Sequence, residues 1–239
     1  MTLRKRRLWV TLVSLVIVLA GAGYEAWKAP KDNPGVVQSA VITPQAVTSS
    51  PAAQALADLP VKGRAPKTGY ERKQFSNGWG DAPGCDVRNY ILKRDLTAVI
   101  TRTQTDCTVM QGNLLDPYTG KTVMFIRSPE GSDDVQIDHV VALSNAWQTG
   151  AQQLSKELRY GIANDPLNLL AVDGPTNNKK SDADAATWLP PLKEYRCRYV
   201  ARQIAVKQKY TLWVTQPERD AMQKVLNDCP EQLLPVVNP

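Results

Sequence analysis

Histidine is almost absent from this chain of 239 residues, in which His139 is the single example. Cysteine occurs four times and never as a Cys-x-x-Cys pair, which argues against a zinc site of the common structural type. If an imidazole acts as an acid or a base in this protein, that imidazole is His139.

A strong excess of charge is also lacking outside the N-terminal segment. The formal net charge is +6, but residues 1–59 hold six Lys or Arg against three acidic residues. The remainder has 23 basic and 20 acidic residues. A mildly basic domain is compatible with a nucleic-acid substrate but does not demonstrate one, so any basic patch must come from local clustering.

The segment from Leu8 to Gly23 contains no charge and follows the basic residues 4–7. This pattern predicts a signal peptide or signal anchor over residues 1–28 and places the rest of the chain outside the cell membrane. The 16 apolar residues are many for a signal peptide and slightly few for a membrane span, so cleavage and anchoring both stay open.

Large apolar side chains are scarce in residues 29–60, which are rich in Pro, Ser, Ala and Thr. Such a composition buries too little surface to offset chain entropy, and it predicts a flexible linker. Residues 61–239 are therefore the predicted folded domain.

The cysteines fall on the exported side, where an even number favours two disulfides. Proximity in sequence favours the pairs Cys85–Cys107 and Cys197–Cys229 among the three possible pairings.

The stretch from Val135 to Asp182 organises the domain. Residues 135–139 alternate between apolar and polar and predict a short strand, and residues 167–172 predict a second one. Helices are expected at 143–150, 152–160 and 181–186, where Ser181 and Asp184 have capping-box spacing.

The flanking segments predict a mixed α+β fold. Residues 86–100 have helical apolar spacing. Residues 107–115 and 121–127 predict a hairpin around a turn at 116–120, which we expect to extend the sheet that contains His139. Two further helices are predicted at 192–210 and at 216–228, the second after a capping box.

Three side chains in the central stretch fit the hydrolysis of a phosphodiester. His139 is a base that works near neutral pH, Asp138 is an anionic oxygen ligand and Asn177 is a neutral one. Magnesium prefers such oxygen ligands and keeps several waters. An Asp-His pair by itself is more often a capped turn or a buried imidazole, so the prediction depends on the asparagines that follow.

Asp138-His139, then Asn168-Leu169 and then Asn177-x-x-Lys180 resemble the HNH endonucleases, also called His-Me finger or ββα-metal nucleases. The resemblance is strongest to secreted actinobacterial HNH proteins and extends over about residues 69–229. It implies a His-Me finger core with additional helices and a hairpin. The third motif position is asparagine here, where many members have histidine, which favours a hard metal over zinc.

The resemblance also implies a role for each residue. His139 would be the general base, Asp138 and Asn177 would hold one metal ion, and Asn168 would steady the loop that carries the histidine. Arg88 and Lys180 are candidate phosphate contacts, although surface charge explains both about equally well.

The expected cofactor is one divalent ion, Mg²⁺ ahead of Mn²⁺, with no nucleotide cofactor. The expected substrate is nucleic acid, DNA ahead of RNA. Two alternatives remain open at this point: a non-catalytic cell-surface binding module on the same fold, and a phosphodiesterase that acts on a different substrate.

Overall fold

Residues 51–128 and 134–235 are described by the structure, which is a computed structural model. The predicted signal segment, residues 1–28, and the first part of the predicted linker, residues 29–50, lie outside the described residues, so membrane anchoring stays a prediction. No helix in the two described ranges has the length and hydropathy to cross a lipid bilayer.

Seven α-helices and seven strands form the described part of the fold, which confirms the α+β class. The helices are α1 (Ala52–Asp58), α2 (Val87–Asp95), α3 (Leu143–Gln148), α4 (Lys156–Asn164), α5 (Gly174–Lys180), α6 (Arg196–Lys209) and α7 (Gln216–Asn227). The strands are β1 (Asp81–Ala82), β2 (Cys85–Asp86), β3 (Leu96–Thr101), β4 (Val109–Leu115), β5 (Thr122–Ile126), β6 (Val135–His139) and β7 (Leu169–Asp173). Short 3₁₀ helices occupy Arg72–Gln74, Ala151–Gln153 and Lys193–Tyr195.

The strands form three small antiparallel sheets: β1 with β2, β3 with β4 and β5, and β6 with β7. The predicted hairpin is confirmed, with Leu115 opposite Thr122 across the turn. The expectation that it extends the sheet of His139 is wrong. The hairpin pairs instead with β3, which comes from a segment predicted to be helical.

That helix is shorter than predicted because α2 ends at Asp95 and the chain continues directly into β3. Residues 97–101 contain two threonines, a valine and an isoleucine, whose branched side chains favour strands. Asp86 begins the helix by accepting a hydrogen bond from the Asn89 amide, at 2.8 Å.

The prediction of a helix at 181–186 is also wrong, since the helix in this region, α5, begins about two turns earlier in the chain. Asp173 accepts a 2.8 Å hydrogen bond from the Thr176 amide, and Pro175 occupies the first turn, which together start the helix at Gly174. Ser181 ends it with φ of 51°. Asn177 therefore lies inside a helix rather than in the loop before one.

The predicted linker, residues 29–60, includes residues that belong to the folded part of the chain. Residues 52–58 form α1, whose Ala52, Ala55 and Leu56 are buried against α6 and α7. These residues have the i, i+3, i+4 spacing of one helix face, so small apolar side chains still supply a packing surface. The packed structure begins about ten residues before the predicted boundary at 61.

Both predicted disulfides are confirmed. Cys85–Cys107 ties the start of α2 to the segment before β4, and Cys197–Cys229 joins α6 to the end of α7. The predicted capping box of α7 is present between Thr215 and Glu218.

The hairpin of β6 and β7 lies between two apolar clusters, and this position sets the geometry of the candidate site. Leu170 and Val172 belong to the cluster formed with α1, α6 and α7, whereas Leu169 and Ala171 belong to the cluster with α2 and β4. Alternate residues of a strand face opposite sides, so each core holds one face of the hairpin.

Candidate active site

A cavity of about 480 Å³ at the end of β6 brings three predicted residues together. His139, Asp138 and Asn177 all line it. We call it the His139 cavity. A larger cavity of about 670 Å³, lined by Arg94, Arg198 and Arg202 among others, contains none of the predicted site residues.

The His139 imidazole is held as a neutral base. Its Nε2 lies 2.9 Å from the Ala163 carbonyl oxygen. Because a carbonyl only accepts, Nε2 carries the proton and Nδ1 is left with its lone pair. Burial, with a smaller contribution from the Arg72 charge, lowers the pKa of His139 to about 3. The Trp79 ring lies parallel to the imidazole, at 6.2 Å between centroids and 4° between planes.

The Asp138 carboxylate is buried on the other face of β6. Its Oδ1 accepts a 2.8 Å hydrogen bond from the Lys180 ammonium, and its Oδ2 accepts one of 2.5 Å from the Tyr118 hydroxyl. Burial raises the pKa of Asp138, and the Lys180 charge opposes that shift. A carboxylate has about four lone-pair positions, so both oxygens keep the capacity to bind a cation.

Asp138 and His139 point to opposite faces because β6 continues through both residues. The strand ends at His139, as the sequence predicts, and the cavity lies at that end, so both residues border it.

Asn177 lines the cavity from α5. Its Nδ2 donates a 2.8 Å hydrogen bond to Gln136 Oε1, which fixes the orientation of the amide. Within the described residues, Oδ1 of Asn177 accepts no hydrogen bond. An amide oxygen without a donor and a buried carboxylate, on two residues that line one cavity, are ligand types that suit Mg²⁺ or Mn²⁺.

Asn168 is fully buried and does not line the cavity. Its Oδ1 accepts from the Val141 amide at 2.8 Å, and its Nδ2 donates to the carbonyls of Val141 and Ile162 at 3.2 and 3.1 Å. These hydrogen bonds hold the segment that directly follows His139. The importance of Asn168 for activity stays a prediction.

The two candidate phosphate contacts lie elsewhere. Arg88 is on α2 with its guanidinium 5.8 Å from the centroid of the Phe125 ring, and it does not line the His139 cavity. Lys180 is buried, and its ammonium donates to Asp138 and, at 2.9 Å, to the His139 carbonyl. The structure therefore gives Lys180 a position inside the protein rather than on a phosphate.

Several residues of the site could not be predicted from the sequence. Arg72 and Lys67 line the His139 cavity from a segment about 70 residues upstream of the motif. Lys67 forms an ion pair of 2.8 Å with Asp182, but the Arg72 guanidinium has no hydrogen bond or ion pair within the described residues. Only the tertiary fold brings these cations to the histidine, so no local spacing predicts them.

Comparison with known proteins places this site in a family. Residues 86–225, more than half of the chain, match the family described as GmrSD restriction endonucleases, C-terminal domain. The chain belongs to this family. The matched range contains every predicted catalytic, metal-binding and substrate-binding residue, from Arg88 to Lys180. The GmrSD C-terminal domain is of the HNH type, which agrees with the resemblance found in the sequence.

A relative of the chain has a similar length. An uncharacterized secreted protein of Arthroderma benhamiae is 37% identical over 192 residues, which cover 79% of this chain and 90% of the relative. No solved structure matches the chain. The narrower predictions, an actinobacterial branch and a His-Me finger core, stay predictions.

Proposed function

We propose that this protein is an exported, metal-dependent endonuclease that hydrolyses phosphodiester bonds in nucleic acid. In this proposal His139 is the general base, and Asp138 and Asn177 hold one divalent ion, Mg²⁺ ahead of Mn²⁺. DNA is favoured over RNA because the family is described as restriction endonucleases.

The observation that carries the proposal is the hydrogen bond from His139 Nε2 to the Ala163 carbonyl. It assigns the proton to Nε2 and leaves Nδ1 free to take a proton from water. The lowered pKa keeps the ring neutral across the physiological range, which is the form that a base requires. An anionic phosphate beside the ring would raise the pKa toward the range where proton transfer is efficient.

The donor set of Asp138 and Asn177 supports the metal assignment. A bound divalent ion would stabilise negative charge on the phosphoryl and leaving oxygens. The Lys180 charge favours the ionised form of the buried carboxylate against the effect of burial, and Gln136 accepts the Asn177 amide N–H and so leaves the amide oxygen available for the ion. The Arg72 guanidinium, which has no partner in the described residues, is placed to hold a phosphate oxygen.

Two observations support export. The relative from Arthroderma benhamiae is described as secreted, and both cysteine pairs form disulfides, which persist in oxidising compartments. The N-terminal hydrophobic segment would direct the chain across the membrane, either released or held at its outer face.

The test is cleavage of plasmid DNA and total RNA by the purified, oxidised protein in the presence of Mg²⁺, Mn²⁺ or a chelator. His139→Ala should lower the rate by about 10²- to 10⁴-fold, the usual contribution of a general base. Asn177→Ala should weaken the binding of Mn²⁺ in a calorimetric titration, and Asn227→Ala, an exposed asparagine on α7, is its matched control.

The proposal fails if the folded His139→Ala protein cleaves at the rate of the wild type. It also fails if the folded wild type cleaves neither nucleic acid with either ion, which would favour the binding module. Cleavage at an unchanged rate in the presence of the chelator would show that the reaction does not need a metal ion.

A further inference from the structure

A second cavity adjoins the His139 cavity. Its volume is about 360 Å³, and it shares Arg72 and Leu143 with the first. Trp79, Asn77 and Lys73 are among its other lining residues. We call it the Trp79 cavity.

The Trp79 cavity lies directly beside the proposed base. Trp79 stacks on the His139 ring, and Ala163, whose carbonyl accepts the His139 hydrogen bond, also lines this second cavity. A group held there is separated from the imidazole by a single ring or a single peptide unit. Its position therefore corresponds to the part of a substrate next to the reacting phosphate.

The charges of the Trp79 cavity favour an anionic ligand. Arg72 and Lys73 line it, and no acidic residue of the described chain does so. Lys73 forms an ion pair of 2.7 Å with Glu71, but both side chains are exposed, so a phosphate can compete for the ammonium at little cost. The Arg72 guanidinium has no hydrogen bond or ion pair with the part of the chain that the structure describes, and it borders both cavities.

The size of the cavity limits what enters it. A volume of about 360 Å³ is at the lower end of the roughly 300–1,000 Å³ typical of small-ligand sites. It offers room for one nucleotide and not for a stacked base pair. A base inside a duplex would have to be flipped out, which costs stacking and pairing energy.

We propose that the Trp79 cavity binds one unpaired nucleotide beside the scissile phosphate, with Arg72 on the phosphate between the two cavities. The substrate class that follows is single-stranded or locally unpaired nucleic acid. The assignment of the scissile phosphate rests on the proposed function, whereas the binding of the nucleotide itself does not need the metal or the reaction.

Gly78 provides a way to fill the cavity without disturbing the catalytic residues. It lines the cavity, its φ is not positive, and a Cβ built on it meets no atom within 4 Å. Gly63 has the same freedom but lies outside both cavities. Gly78→Leu is thus the blocking variant and Gly63→Leu its matched control.

The first readout is binding of a fluorescent single-stranded oligonucleotide, measured by anisotropy in the presence of a chelator. Gly78→Leu should raise Kd by about tenfold, the loss expected when one base no longer stacks, and Gly63→Leu should leave it unchanged. Wild-type protein should bind the corresponding blunt duplex about tenfold more weakly, since a paired base must first be flipped out.

A second pair of variants keeps the test valid if Gly78→Leu does not fold. Lys73→Gln removes a cation from the cavity, and Lys156→Gln removes an exposed cation of α4 that lines neither cavity. Only Lys73→Gln should weaken binding of the single strand. Equal effects of the two lysine variants would overturn the proposal.

Cleavage by the wild type separates this inference from the proposed function. Faster cutting of the single strand than of the duplex, together with weaker binding by Gly78→Leu, supports both. If folded Gly78→Leu binds more weakly but the wild type cleaves neither substrate, the nucleotide site is supported and the nuclease function is overturned. If the wild type cuts both substrates at equal rates and folded Gly78→Leu binds like the wild type, the nuclease function is supported and the nucleotide site is overturned.

Discussion

Replacing Lys180 with methionine tests the buried part of the site. Methionine keeps an unbranched apolar stem of similar length but has no charge, so the Asp138 carboxylate loses its cation and keeps the Tyr118 hydroxyl. The Lys180 side chain is 0% exposed and that of Asp138 is 5% exposed. The ammonium is therefore lost from a position that solvent barely reaches, and the carboxylate keeps the Tyr118 hydroxyl as its remaining side-chain partner.

The expected loss of stability is large for a single substitution. Removing one member of a buried ion pair costs about 3–5 kcal/mol, because the remaining charge is uncompensated. The chain supplies its own comparison in the Lys67–Asp182 pair, which has the same N–O distance of 2.8 Å but side chains that are 55% and 47% exposed. Lys67→Met should cost about 1 kcal/mol or less, because solvent screens an exposed pair.

Urea unfolding at pH 7, followed by tryptophan fluorescence, measures both variants. A chelator must be present so that no cation compensates Asp138. If Lys180→Met loses no more stability than Lys67→Met, burial does not determine the strength of this pair, and the description of Lys180 as an interior residue is refuted.

Three other predictions concern different parts of the molecule. Because burial lowers the pKa of His139 to about 3, the unfolded chain takes up a proton below pH 6.5 that the folded chain does not. Relative to His139→Gln, the wild type should lose about 1.4 kcal/mol per pH unit between pH 6.5 and 4 in urea unfolding, and parallel curves would contradict this. Leu56→Ala should lower the free energy of unfolding by about 2–5 kcal/mol if α1 belongs to the core. Gln54→Ala, at an exposed position of the same helix, should be nearly neutral. Equal effects would show that residues 52–58 do not pack into the core. Replacing both Cys85 and Cys107 with serine opens a loop with a sequence separation of 22 and should cost about 3 kcal/mol, so an unchanged urea midpoint would show that this bridge does not stabilise the fold.

The sequence predicted those features that depend on neighbours in the chain. The strand that ends in Asp138-His139, the capping box of α7 and the turn of the hairpin all follow from residues within a few positions of one another. The disulfide pairs were also predicted by proximity. Asn177 was singled out by its spacing to Lys180, although the helix was predicted about two turns too late.

The features that the sequence did not predict depend on contacts between distant segments. Tyr118 lies 20 residues before Asp138, in a turn, and nothing in that turn indicates that its hydroxyl reaches the carboxylate. Arg72 is 67 positions before His139 in a segment without a recognisable motif. The packing of α1 against the core was not predicted, because its side chains are small and only their helical spacing indicates a buried face.

Lys180 shows how the position of a residue in the fold changes its interpretation. A lysine next to a predicted nuclease motif is naturally assigned to phosphate, because lysines are usually exposed. The structure pairs it with Asp138 and pairs Lys67 with Asp182, so two of the three cations bordering or adjoining the His139 cavity are neutralised by carboxylates. Arg72 is the cation left without a partner in the described residues, and it stands where the two cavities meet. Recognition of phosphate should therefore depend on Arg72 and on the ion, while the Lys180 charge favours the ionised form of Asp138 before any ion binds.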